Sequence, residues 1–240
     1  MLKRIAKVCI AISLVLMMFV IILLSVGAFS GNRRWLEREY EKLDINRYTG
    51  MSTEDQCRAF MQMVDFMKGK TDTMDVKVTV DGEEMLMYNE REISHMHDVR
   101  DLYRGLTVFK YCACAFMLLT IVLGVIAFRS RADIAESNAF AAKAAVIAFC
   151  CVFGFILLLG LWALIDFDSF WAAFHIVFLD LESSTFDPAV SRMIRICPAE
   201  LFRDMVIRIF AAAFAVSAAV TAGLVILHRS DVRRAKKERA

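Results

Sequence analysis

Four stretches of this chain, residues 8–29, 111–128, 144–165 and 209–227, carry no Asp, Glu, Lys or Arg. Each is close to the roughly 20 residues that a helix needs to cross a hydrocarbon core about 30 Å thick. No water reaches a peptide group in that medium, so a spanning segment must close its own backbone hydrogen bonds, as a helix does. Hydrophobic residues make up 58% of the 240 residues, yet 23% are charged, so the two kinds are segregated along the chain. That segregation predicts a membrane α-helical protein with four transmembrane helices. Both prolines, Pro188 and Pro198, fall outside the uncharged stretches.

Basic residues orient the chain. Lys3, Arg4 and Lys7 precede the first stretch, Arg129, Arg131 and Lys143 lie between the second and third, and Arg233, Arg234, Lys236, Lys237 and Arg239 follow the last. Lys and Arg collect at the cytoplasmic ends of membrane helices. The expected division is a cytoplasmic N-terminus (1–7), a helix (8–29), an extracytoplasmic domain (30–107), a helix (108–128), a cytoplasmic loop (129–143), a helix (144–165), an extracytoplasmic loop (166–208), a helix (209–227) and a basic cytoplasmic tail (228–240). Arg33, Arg34, Arg38, Arg203 and Arg208 weigh against this in a plain count, but a long segment is exported largely regardless of its charge. Trp35, Trp162 and Trp171 then fall near outer helix ends, where indoles suit the headgroup layer. The first uncharged run is longer than the ~15-residue limit of a signal-peptide core. It is therefore expected to remain as a helix, although Ala28-Phe29-Ser30 resembles a cleavage site.

The outer domain reads as small and α+β, a helix plus a β-hairpin. Ser52-Thr53-Glu54-Asp55 supplies a cap and first-turn acids for a helix over 55–68, with Phe60, Met63, Val64 and Met67 on one face and Gly69 ending it. Residues 74–80 alternate with period two, Asp81-Gly82 follows, and a second strand runs over 83–88. An Asp-Gly pair between alternating runs is a strong hairpin signal. From Asn89 the spacing of Ile93, Met96, Val99 and Tyr103 returns to that of a helix leading into the second membrane span.

The net charge of +2 and the absence of aromatic residues among the basic ones exclude a nucleic-acid partner. The tail meets membrane lipids instead. Five cysteines, Cys9, Cys112, Cys114, Cys150 and Cys151, sit in the apolar stretches, leaving Cys57 and Cys197. No serine-hydrolase elbow or phosphate-cradling glycine loop is present, and Ser94 and Ser169 read as polar spacers. His95 and His97 precede the second span and His175 follows the third, so both segments come to one depth. On a helix, Glu92 and Asp98 flank His95 at three positions either way, where a carboxylate would hold the imidazole. Three readings stay open. The group is a solvated charged face of a non-enzymatic sensor or assembly partner, an acid–base pair, or a metal-dependent hydrolase site built on His95, His97, Asp98 and His175, whose spacing matches no specific metal motif.

The run Glu90-Arg91-Glu92-Ile93-Ser94-His95-Met96 with Asp98-Val99-Arg100, and later Phe174-His175 with Phe186-Asp187-Pro188, resembles bacterial lipoprotein intramolecular transacylases over most of the chain. Two departures are His97 and the stretch 179–182, where the family pattern is more aromatic. The resemblance implies a multi-pass protein of the bacterial cytoplasmic membrane with its active site on the extracytoplasmic side. It implies that an acyl chain moves from the glyceryl ester of a diacylglyceryl lipoprotein to the α-amino group of its N-terminal cysteine, giving the lyso form. It also implies that His95 and His175 are catalytic. No cofactor or metal is called for, because ester-to-amide transfer is downhill. On this reading His95 is the base, held by Glu92 or Asp98, and His175 the acid or oxyanion donor, or the roles are exchanged. Arg91 or Arg100 is a second oxyanion donor.

Overall fold

Each uncharged stretch, Phe128 excepted, lies within one long helix of the computed structural model, which describes residues 1–179 and 186–237, the side chain of Asp168 excepted. The spans are carried by α1 (Leu2–Phe29), α5 (Glu90–Ala127), α6 (Arg131–Ile165) and α9 (Ala199–Lys237). Between them lie α2 (Arg33–Lys42), α3 (Asn46–Thr49), α4 (Thr53–Met67), β1 (Lys77–Val80), β2 (Glu83–Leu86), α7 (Phe167–Phe178) and α8 (Arg192–Ile196). The chain divides into two units. One comprises Met1–Ser25, Val108–Leu164 and Phe210–Ala240, the other Val26–Thr107 and Ile165–Ile209.

The first unit turns its large side chains outward. Leu118, Leu119, Phe155, Leu157, Leu158 and Ile226 are each more than 60% exposed, a surface that water would penalise and lipid tails accept. Small residues face inward: Ala6, Ala145 and Ala213 are fully buried, which lets helices approach closely. Phe149, Phe153 and Phe214 fill one layer, with ring centroids 4.9 to 5.3 Å apart. Ser13 donates to Thr120 at 2.9 Å, so each hydroxyl is satisfied away from water. At one end Lys3 pairs with Asp133, Lys7 with Glu136 at 2.7 Å, and Asn138 donates to Asp231 at 2.8 Å. The N-terminus, the start of α6 and the described end of α9 therefore share an end of this unit.

The second unit has an apolar core. Leu36 and Tyr40 of α2, Phe66 of α4, Val78 of β1, Met87, Ile196 of α8 and Leu201 of α9 are all at most 1% exposed. Burying each such side chain contributes about 1.5–3 kcal/mol. By comparison the exposed Lys77–Glu84 pair across the hairpin, 2.7 Å, is screened by water and adds little. Ser52 caps α4 by accepting from the Asp55 amide, and Gly69 ends it with φ +72°. Asp55 reaches further and accepts from the Thr79 amide, tying β1 to α4. The hairpin pairs Lys77 with Leu86 through Val80 with Glu83. Its Asp81-Gly82 turn has φ of +50° and +90°, the mirror-image turn that matches strand twist.

Three hydrogen bonds, one of them buried, fasten the later segment to the earlier one. The Tyr40 hydroxyl donates to the Ile196 carbonyl at 2.9 Å. The Arg192 guanidinium donates to the carbonyls of Leu86 and Met87, both at 2.9 Å. The segment 166–208, expected as a loop, is instead largely helical, with α7, α8 and the start of α9.

Gly50 ends α3 at φ +66°, and a Cβ there would come within 2.3 Å of the Asp81 carboxylate. Gly50→Ala should therefore lower stability by about 1 kcal/mol or more. A lower melting temperature of the detergent-purified protein is the expected result, and an unchanged one would refute this account of the turn.

Candidate active site

His95 lies in the first turns of α5, ahead of the uncharged run of that helix, and His175 in the last turn of α7. The second unit buries both, leaving 7% and 6% exposed, and sets their rings 6.0 Å apart between centroids at an interplanar angle of 30°. Sequence reasoning placed them at one depth, and the fold makes them neighbours.

Their surroundings differ. The His175 Nδ1 lies 2.8 Å from the Trp171 carbonyl. A carbonyl only accepts, so Nδ1 carries the proton and a neutral ring presents its lone pair at Nε2. Trp171 also packs edge to face on His175 at 4.7 Å and stacks on Phe167 and Phe174 at 5.7 and 5.8 Å. The spacing of Phe167, Trp171, Phe174 and Phe178 places an aromatic ladder along α7. On the other side, Phe186 meets His95 edge to face at 5.3 Å, and the His95 Nδ1 is buried without a hydrogen-bond partner among the described residues. Burial, and then the nearby His175, make it harder to charge His95, whose pKa falls below the ordinary value near 6.5, with Asp98 pulling the other way.

The expected supporting residues separate. Arg91 sits over Phe186 at 5.6 Å, on the His95 side of α5. Arg100 does not belong to the site: it pairs with Asp72 at 2.7 Å and stacks on Phe66 at 4.8 Å. The exposed His97 packs on that same Phe66 ring at 5.0 Å. Five positions beyond His95, Arg100 points elsewhere on the helix, and His97 is two positions off.

Glu92 is also corrected as a holder of the imidazole. Its carboxylate, wholly buried, accepts from the Ser191 hydroxyl at 2.6 Å, the Met193 amide at 2.9 Å and the Asn89 amide at 2.9 Å. Asn89 in turn accepts from the Glu92 amide at 2.9 Å, which makes the pair the reciprocal cap of α5. Ser191 was not foreseen, because nothing local in the sequence marks a partner so distant along the chain. The departing stretch 179–182 falls outside the described residues beyond Leu179.

Among the described residues no group of three His, Cys, Asp or Glu side chains could hold a metal ion. The set His95, His97, Asp98 and His175 is broken by the turn of His97 onto Phe66. Cys57 and Cys197 are buried, and burial pushes the Cys57 thiol up to about 11 and Cys197 higher still. Neither presents a thiolate near neutral pH. The group left together is an imidazole pair in an aromatic, water-poor setting with one guanidinium beside it, suited to moving a proton between a nucleophile and a leaving group.

The family model for the lipoprotein intramolecular transacylase Lit matches residues 11–202. Comparison with curated proteins finds no match. Among solved structures, the membrane-integral lipoprotein intramolecular transacylase Lit from Bacillus cereus is similar, at 16% identity and a TM-score of 0.69, covering 98% of each chain. Two variants of that enzyme, with one histidine replaced by arginine or by alanine, match at 15% identity and a TM-score of 0.66. They cover 98% of this chain and 94% or 96% of theirs.

Side-chain NMR of labelled histidines in detergent should show His95 titrating below the ordinary histidine value. Its midpoint should rise in His175→Ala, which removes the competing charge and admits water. A midpoint at or above the ordinary value in the unaltered protein contradicts the geometry.

Proposed function

The chain belongs to the lipoprotein intramolecular transacylase family, a multi-pass membrane acyltransferase, and from that premise we propose that His95 and His175 carry the transfer on the extracytoplasmic side of a bacterial cytoplasmic membrane. The observation that carries the reading is the buried pair of imidazoles with ring centroids 6.0 Å apart.

The substrate is a lipoprotein whose N-terminal cysteine bears a diacylglyceryl group and a free α-amino group. That amine, with a pKa near 7.7–8.0, is in good part neutral at physiological pH and attacks the carbonyl carbon of one glyceryl ester. A carbon–nitrogen bond forms, and the amine proton passes to Nε2 of His175, the nitrogen left with a lone pair by the bond from Nδ1 to Trp171. As the tetrahedral intermediate collapses, the ester carbon–oxygen bond breaks and the glyceryl oxygen takes a proton from the imidazole pair. An amide and a free hydroxyl result, the lyso form, with no net gain or loss of protons. This is the exchanged order of roles: His175 is the base and His95 stands beside the leaving oxygen. The depressed basicity of His95 suits a group that gives up a proton readily. Arg91, held beside Phe186, stabilises the oxyanion. Ester-to-amide transfer is downhill, so the residues need no energy-carrying cofactor for it.

The side of the membrane follows from charge. Lys3, Lys7, Arg129, Arg131, Arg233, Arg234, Lys236 and Lys237 belong to segments that share one end of the spanning unit. Such an end is cytoplasmic by the positive-inside rule. Residues 30–107 and 166–208, and with them both histidines, then lie outside, where lipoproteins are displayed.

Purified protein in detergent, given a synthetic diacylglyceryl lipopeptide with a free N-terminus, should produce the N-acyl lyso-lipopeptide, read by fragment-ion mass spectrometry. His95→Ala and His175→Ala should each lower kcat by about 100-fold or more, whereas His97→Ala should leave it unchanged. Full turnover in both of the first two variants would end the histidine mechanism.

A further inference from the structure

One group in the second unit exceeds what fold stability asks for. Taking a carboxylate out of water is costly and is offset only when its lone pairs are met by donors, and an apolar side chain could fill the same space. Glu92 is nonetheless wholly buried, with a hydroxyl and two backbone amides upon it. Those donors come from two places. Asn89 starts α5, the helix that carries His95, while Ser191 and Met193 start α8, the helix that follows the turn after Phe186. Asp187 organises that turn: its side chain accepts from the Ala189 amide at 2.8 Å and its carbonyl from the Val190 and Ser191 amides at 3.0 and 2.8 Å. A short, internally bonded turn thus runs from Ser191 back to Phe186, whose ring lies edge-on against His95 at 5.3 Å.

We propose that Glu92 is a positioning residue for the transfer, a latch that grips Ser191 and Met193 and so holds Phe186 over His95. Glu92 and His95 are three positions apart and share a face of α5, so the latch and the ring it serves are fixed to the same rigid element. Phe186 excludes water from the buried edge of His95 and keeps the ring in the plane that faces His175. When the latch is broken the turn loosens, the cover lifts, and the imidazole loses its orientation while the substrate contacts persist. The effect is therefore on kcat more than on KM. The proposal rests on the reading that His95 and His175 perform the chemistry.

Glu92→Gln keeps the shape but offers an amide donor where one amide N–H of the protein already points. Ser191→Ala removes a single hydroxyl and keeps the fold testable if Glu92→Gln proves unstable, and Ser191→Thr keeps the hydroxyl. In the lipopeptide assay, with melting temperatures measured in parallel, Glu92→Gln and Ser191→Ala should lower kcat about 10- to 100-fold with KM unchanged, and Ser191→Thr should restore it. Combined with Phe186→Ala, either should cost no more than Phe186→Ala alone, because all three act through one cover. Losses that multiply with Phe186→Ala, or that track the fall in melting temperature, would show a structural role only. Unchanged kcat in Glu92→Gln and Ser191→Ala, with His95→Ala and His175→Ala inactive, overturns the latch alone. Activity in both histidine variants overturns the histidine reading instead.

Discussion

An unpaired peptide group in hydrocarbon costs several kcal/mol, and that single penalty organises this chain. It forces the uncharged stretches into continuous helices, and those helices do more than span. Both α5 and α9 begin well ahead of their apolar runs, so the first turns of each belong to the second unit. His95 belongs to such an extension. A side chain on a long helix inherits its direction from the backbone and needs little further support than packing on its flanks.

The sequence made some of this legible and hid the rest for physical reasons. The spans, the cap at Ser52, the stop at Gly69 and the Asp81-Gly82 turn were readable because each is decided by residues adjacent in the chain. The helices α7 and α8 were not, although Asp166 and Ser191 cap them. Their apolar faces, aromatic-rich in α7 alone, are set by packing within the second unit, and a short helix shows no clear period on its own. Among site residues, His95 and His175 stood out by type and position, strengthened by resemblance to a family. Glu92 was noticed for the wrong contact, since helical spacing shows which neighbours it has on α5 and says nothing of Ser191. Arg91 and Arg100 looked equivalent in sequence, and only the fold sets one by Phe186 and the other on Phe66.

Buried polar groups in the second unit divide into two kinds. Tyr40 and Tyr88 give hydrogen bonds to backbone carbonyls and pin segments together, as expected of polar atoms that must be satisfied out of water. The His95 Nδ1 remains unpaired among the described residues. A buried polar atom without a partner costs stability, and this one lies beside a second imidazole, which is the arrangement the proposed transfer uses.

The bond from His175 to the Trp171 carbonyl reaches beyond orientation. A histidine that passes protons along a wire must load at one nitrogen and unload at the other. With Nδ1 committed to its own helix, this ring has one door. Whatever proton it takes from the pocket it must hand back into the pocket, and none leaks through to the protein behind. Such a ring is a depot rather than a relay, and in the proposed transfer the proton lent at the first step is due back in the pocket at the last.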